Sequence, residues 1–249
     1  MTVGNLFQGK TVLLADRDGT EKGTMRIRWL GHSCFLLSNK DKVLIDPYLS
    51  GNPAAPLKPS EVDCDIICVT HGHSDHLGDA VEIGKRTKAP IVAIFEIASY
   101  VSQWTESIGM NLGGTTHVKN TTIKLVPAVH SSGIPGAEFK HSGGTATGFV
   151  IDNGKKVYHA GDTALFADMK IIGEVDHPYV AMLPIGDLYT MGPKDAVVAA
   201  DWLKPTVIIP MHYNTWPKVQ QDPNEFKKLV EESTGAKVLI LKVGEEVEI

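Results

Sequence analysis

The run Thr70-His71-Gly72-His73-Ser74-Asp75-His76 constrains this chain more than any other. It places three imidazoles and one carboxylate within six residues, directly after the apolar run Ile66-Ile67-Cys68-Val69. A short apolar run bounded by polar residues reads as a buried strand, so the ligand-type side chains emerge where that strand ends. A buried polar group without a partner costs roughly 2–7 kcal/mol. One divalent cation partners several such groups at once, and the stretch is therefore expected to hold metal.

The rest of the composition narrows the setting. The chain has 249 residues, 43% hydrophobic and 21% charged, a globular balance. That length buries most of the unfolded surface without disulfide staples. Cys34, Cys64 and Cys68 form no CxxC pair and read as small inward-facing groups of a reducing compartment. The formal net charge is −5 and no Lys/Arg cluster stands out, so no nucleic-acid partner is expected. There is no apolar stretch near 18 residues and no secretion signal, which leaves a cytoplasmic protein with no membrane partner. Residues 1–24 are polar and read as an N-terminal extension of uncertain structure or an edge hairpin. Residues 25–249 read as a single domain.

Strand-like and helical runs alternate along that domain. Strands are expected at 26–30, 34–38, 43–45, 66–69, 91–94, 121–129, 146–151, 156–159, 179–183, 207–209 and 237–241. Helices are expected at 75–85, 97–107, 193–203 and 225–233. The order starts antiparallel and later interleaves helices, which suits two mixed sheets packed together with helices outside rather than a strict βαβ fold. The Gly/Ser-rich loop 131–145 has a length usual for functional loops and lids.

Further ligand candidates obey one rule: His130, Asp162 and His212 each sit where a predicted strand runs out, as His71 does. Side chains on the ends of neighbouring strands converge on one rim and are held there rigidly. His71 and His73 can point the same way, whereas Asp75 and His76 open the next helix. The number and type of groups fit two first-row divalent ions; zinc comes first, with manganese, iron or cobalt as alternatives, since no thiolate is among the donors.

The stretch His71-Gly72-His73-Ser74-Asp75-His76, followed in order by His130, Gly161-Asp162-Thr163 and His212, resembles the HxHxDH signature and later ligands of the metallo-β-lactamase superfamily. Trp29-Leu30-Gly31-His32-Ser33, Ile45-Asp46-Pro47, Tyr158-His159-Ala160, Leu183-Pro184-Ile185-Gly186, Met191-Gly192-Pro193 and Pro210-Met211-His212-Tyr213 are similar to a branch of metal-dependent hydrolases related to ascorbate-6-phosphate lactonase. The resemblance runs from about Met25 to the C-terminus. It implies an α/β four-layer αβ/βα sandwich, two mixed sheets flanked by helices, with the site at one edge. It also implies that His71, His73 and His130 bind one ion, that Asp75, His76 and His212 bind a second, and that Asp162 bridges them. Asp75 would then be catalytic, passing a proton to the leaving group.

Other residues carry weaker expectations. His32 either contacts the site from behind or shapes its glycine turn, His159 is a supporting group, and Asp46 braces the histidine loop. Tyr189 and His141 are candidates to touch substrate. Trp202, Trp216 and Phe226 are expected as core or interface anchors. The function expected is hydrolysis of a small ester-like molecule, with a phosphodiester or sugar-phosphate lactone favoured. A di-iron redox protein or a non-hydrolytic ligand-binding protein of the same fold is the alternative. Self-association into a homo-oligomer is allowed for.

Overall fold

The protein is described by a computed structural model at residues 10–11, 24–136 and 141–249. Apart from Lys10, Thr11 and Thr24, the expectation for residues 1–24 lies outside the described residues. In chain order the strands are β1 (Lys10–Thr11), β2 (Arg26–Gly31), β3 (Cys34–Ser38), β4 (Lys42–Ile45), β5 (Ile66–Cys68), β6 (Ile91–Ile94), β7 (Ser107–Met110), β8 (Thr115–Val118), β9 (Thr121–Pro127), β10 (Thr147–Asp152), β11 (Lys156–His159), β12 (Val180–Pro184), β13 (Val207–Met211), β14 (Lys237–Val238) and β15 (Glu246–Glu248). The helices are α1 (Ser74–Leu77), α2 (Ala80–Thr87), α3 (Phe95–Val101), α4 (Met169–Asp176), α5 (Pro193–Leu203) and α6 (Pro223–Ser233).

The strands form two mixed sheets flanked by helices, ordered β1-β15-β2-β3-β4-β5-β6-β7 and β14-β13-β12-β11-β10-β9-β8. Each sheet has the same internal logic. An antiparallel meander, β2-β3-β4 or β8-β9-β10-β11, is followed by strands that run parallel. Tight turns suffice for the meanders, whereas parallel neighbours need crossovers; the long loop 46–65 joins β4 to β5, and α1–α3 and α4–α6 supply the others. β5 is buried along its whole length, as a strand covered on both faces must be. The core is one continuous apolar cluster, with Phe35, Phe149 and Tyr158 among its largest fully buried side chains. Phe35 of the first sheet meets His159 of the second edge-on, with ring centroids 5.8 Å apart.

Four sequence expectations are corrected. The helix expected at 75–85 is two helices, α1 and α2, broken at Gly78-Asp79. Gly78 has φ +39°, and a Cβ there would lie 2.3 Å from the Pro47 carbonyl oxygen. Asp79 instead caps the neighbouring loop, accepting from Leu49 N at 2.8 Å and Ser50 N at 2.9 Å. The helix expected at 97–107 stops after Val101; Ser107–Met110 pairs in parallel with β6. The strand expected to stop before Pro210 continues to Met211. Among the described residues Pro210 pairs only with Leu183, because the two-residue β14 does not reach that far, so its missing N–H is not needed. The strand expected at 237–241 is only Lys237–Val238. The sequence reading also lacked α4, β8 and β15.

Candidate metal centre

The seven predicted ligands come to one rim. His71, His73, Asp75 and His76 occupy the loop and short helix after β5. His130 follows β9, Asp162 follows β11 and His212 follows β13. Both sheets therefore contribute. Three sets of donor atoms lie mutually within 4.8 Å: His71, His73 and His130; His71, His76 and Asp162; and Asp75, His76 and His212 together with His32. The ring centroids of His71 and His130 are 5.1 Å apart, and those of His73 and His130 5.2 Å.

The hydrogen bonds behind the cluster decide which ring atoms are available. Asp46 is fully buried and accepts from Thr70 N at 2.8 Å, from Thr70 Oγ1 at 2.7 Å and from His76 Nδ1 at 2.7 Å. Because the Thr70 hydroxyl proton is spent on Asp46, its oxygen accepts from His71 Nδ1 at 3.0 Å. Both His71 and His76 thus carry a proton on Nδ1 and point Nε2 into the cluster, bare in His71 and, in His76, facing a carboxylate that favours a positive charge there. Carboxylate and hydroxyl partners of this kind fix the tautomer and direction of metal-binding imidazoles. His71 Nε2 lies 3.0 Å from His73 Nδ1, so that a bare His71 Nε2 accepts from His73 when that ring carries its proton on Nδ1.

A direct test of fit comes from buried atoms that nothing satisfies. His76 Nε2, His212 Nε2 and Asp162 Oδ1 have no hydrogen-bond partner among the described residues. His76 Nε2 nevertheless lies 3.2 Å from Asp162 Oδ1, and His212 Nε2 lies 3.0 Å from Asp162 Oδ2. Buried polar groups are normally paired, so acceptors crowded together signal a missing positive charge. Electrostatics agree. Burial alone would lower the His76 pKa, yet Asp162 and Asp46 outweigh it and raise it well above the ordinary imidazole value. Burial would raise the Asp162 pKa, but His212 and His76 hold it well below the carboxylate range. On the other side of the cluster burial keeps His71, His73 and His130 below the ordinary value, and hence neutral and ready to ligate. The donor set of imidazole and carboxylate suits a first-row divalent cation.

His32 falls closer to the centre than a turn residue need be. It is buried, its Nε2 lies 3.1 Å from Asp75 Oδ2 and its Nδ1 2.8 Å from Thr215 Oγ1. Burial, opposed by Asp75, brings its pKa down to about 4. A neutral ring that donates from Nε2 to Asp75 then accepts from Thr215 at Nδ1. Its backbone carbonyl accepts from His212 N at 3.1 Å, which ties the two ligand loops together. His32, Asp46 and His212 all have positive φ, at 53°, 44° and 55°. Non-glycine residues in that region cost about 1–3 kcal/mol each and gather at functional sites. Nothing in the sequence signals these turns beyond the flanking Gly31.

The remaining candidates separate. His159 is buried between the sheets, where Nε2 donates to the Ser33 carbonyl at 2.9 Å, and stands behind the site. His141 turns to Tyr100, with ring centroids 5.2 Å apart, and does not line the cavity. Ser132, at the start of the Gly/Ser loop, accepts from Gly72 N at 3.1 Å and pins that loop to the histidine run. A cavity of about 870 Å³ opens over the cluster, with Tyr48, Tyr189, Trp216 and Lys218 among its lining. Trp216 is thus no core anchor, unlike the fully buried Phe226. The sequence reading missed Tyr48 and Trp216, because their place depends on two loops brought together only by the fold.

Residues 26–212 match the family described as "Beta-lactamase superfamily domain". The chain belongs to the β-lactamase superfamily. Among its relatives, the UPF0173 metal-dependent hydrolase of Methanosarcina barkeri is 49% identical over 227 residues, covering 90% of this chain and 99% of the relative. The UPF0173 metal-dependent hydrolase of Methanopyrus kandleri is 53% identical over 229 residues, covering 90% of this chain and all of the relative. Igni18, a metallo hydrolase of Ignicoccus hospitalis, superposes with a TM-score of 0.83 at 40% identity, covering 91% of this chain and 99% of that one. The β-lactamase superfamily member described here is accordingly a metal-dependent hydrolase with the metallo-β-lactamase fold, and the rim of histidines and aspartates is its candidate metal-binding site.

Proposed function

We propose that the rim holds two divalent cations and hydrolyses a small ester-like substrate, a phosphodiester or a phosphorylated lactone. His71, His73 and His130 hold one ion; Asp75, His76 and His212 hold the other; Asp162 lies between. The observation that carries this reading is the trio of buried, unpartnered atoms His76 Nε2, His212 Nε2 and Asp162 Oδ1. Divalent cations in such a site supply Lewis acidity toward a carbonyl or phosphoryl oxygen and lower the pKa of water.

The chain's own residues do the rest. Asp46 and Thr70 lock the His71 and His76 rings. His32, held by Thr215, fixes the Asp75 carboxylate, whose pKa lies below the carboxylate range. Burial would raise that pKa, but the His32 hydrogen bond and the neighbouring imidazoles outweigh it. Asp75 therefore enters the reaction ionised, able to take the proton of the attacking water. The leaving oxygen receives that proton as the acyl–oxygen or phosphorus–oxygen bond breaks. Elemental analysis by plasma mass spectrometry, with a panel of chromogenic phosphodiester, lactone, thioester and β-lactam substrates, tests the reading. About two equivalents of zinc or manganese with phosphodiester or lactone turnover are expected. A chain that binds no divalent ion, or one that cleaves none of the panel when fully loaded, would overturn it.

A further inference from the structure

The proposed function does not use the apolar wall of the cavity above the rim. Tyr48, Trp216, Tyr189, Pro135 and Pro217 all face the same 870 Å³ space as Asp75 and Asp162. Tyr48 presents its ring and not its hydroxyl: Oη donates to the Gly51 carbonyl at 2.5 Å. A Cβ at Gly51 would come within 2.6 Å of Tyr48 Cε2, so the ring is seated against a position that only glycine allows. Trp216 lies 6.1 Å from the Tyr48 ring and 4.7 Å from the His32 ring, between centroids. The two rings are half-buried, one side packed and the other open to the cavity. Lys218 is the single cationic side chain in the lining and has no acidic partner among the described residues.

This composition discriminates between substrates. A polyphosphate or nucleic acid strand needs several cations along its backbone, and one lysine does not serve it. Away from the metal cluster the lining offers the hydroxyls of Ser74, Ser131 and Tyr189 to a polar substrate, and the wall of Tyr48, Trp216, Pro135 and Pro217 offers a bare sugar hydroxyl no partner. A planar apolar group fits, since offset or edge-on contacts between rings add to simple burial. Resting on the hydrolase reading above, we propose that the substrate is a monoanionic ester or lactone bearing a planar apolar group, which lies against Trp216 and Tyr48 while Lys218 meets its charge.

The test uses two inert ligands that differ only in the ring, 3-phenylpropanoate and propanoate, titrated calorimetrically into the full zinc-loaded chain. The phenyl ligand is expected to bind at least about ten-fold tighter, the scale of one good aromatic contact plus its burial. That advantage is expected to fall to about three-fold or less in Trp216→Ala and in Tyr48→Leu, and Lys218→Ala to weaken both ligands alike. Trp216→Leu gives the same readout if the alanine variant does not fold, with circular dichroism and metal content as controls. A ratio near one in the wild-type chain, or a ratio unchanged in both ring variants, overturns the proposal. The ratio belongs to the wall and is expected to persist after chelator treatment. Absent metal or turnover would therefore sink the hydrolase reading, whereas the ratio alone decides this one.

Discussion

Asp162 has both carboxylate oxygens turned toward histidines, and each approaches an imidazole nitrogen closely without a hydrogen bond. Asp162→Ala is expected to leave a folded chain that binds less metal and has lost turnover. Full activity in that variant would refute the shared-donor role. His32 is the more discriminating case. His32→Gln keeps a donor toward Asp75, whereas His32→Ala leaves that carboxylate loose. Loss of such a supporting partner costs about 10–100-fold in metal affinity or activity. The alanine variant is therefore expected to fall by that factor in kcat and in affinity for part of its metal, and the glutamine variant to recover most of it. Equal losses in both variants would reduce His32 to a turn residue. Cys64, buried against α2, has its thiol pushed up to about 11, chiefly by burial. A pKa higher in the folded than in the unfolded chain contributes stability below the ordinary thiol value that is lost as pH rises. Urea stability is thus expected to decline between about pH 9 and pH 11, and Cys64→Ala to lessen that decline, the remainder belonging to Cys34 and Cys68, whose buried thiols are also raised.

Among the elements, the break between α1 and α2 matters most to the site. α1 carries Asp75 and His76, and its end is set by Gly78 folding under Pro47. Gly78→Ala forces a Cβ into the Pro47 carbonyl at a positive φ. It is expected to cost more than about 1 kcal/mol and to weaken metal binding, since Pro47 adjoins Asp46, the brace of His76. Urea denaturation and a metal titration check both, and an unperturbed variant would mean that the crimp is not needed. The sequence could not show this break, because the apolar spacing across 75–85 reads as one helix. The bend is imposed by a loop some thirty residues earlier. The convergence of the candidate ligands on one rim was legible for the opposite reason. Each is a chemically costly side chain at the end of an apolar run, and both the cost and the run are local. Tyr48 and Trp216 were illegible because aromatic residues in loops read as packing until the fold gives them a common cavity. β8, a short strand with one buried residue, offered no period to read.

At the level of the molecule, the two sheets repeat one order, a meander followed by parallel strands, without a repeat visible in the residues. The first brings His32, Asp46 and the 71–76 run; the second brings His130, Asp162 and His212. A ligand that binds only the folded state stabilises it by about 4 kcal/mol at a thousand times its Kd. For a chain of this size, each kcal/mol moves Tm by about 2–4 °C. Stripping the ions is therefore expected to lower the calorimetric Tm by roughly 8–16 °C, restored by zinc or manganese. An identical Tm with and without chelator would show that the ions do not bridge the sheets. The donors straddle the seam, so on this reading the cation is also a clasp joining the two halves of the chain. Scarcity of the metal would then act twice, silencing the enzyme and exposing its opened seam to proteolysis, so that the amount of protein surviving in a starved cell would follow the supply of the ion.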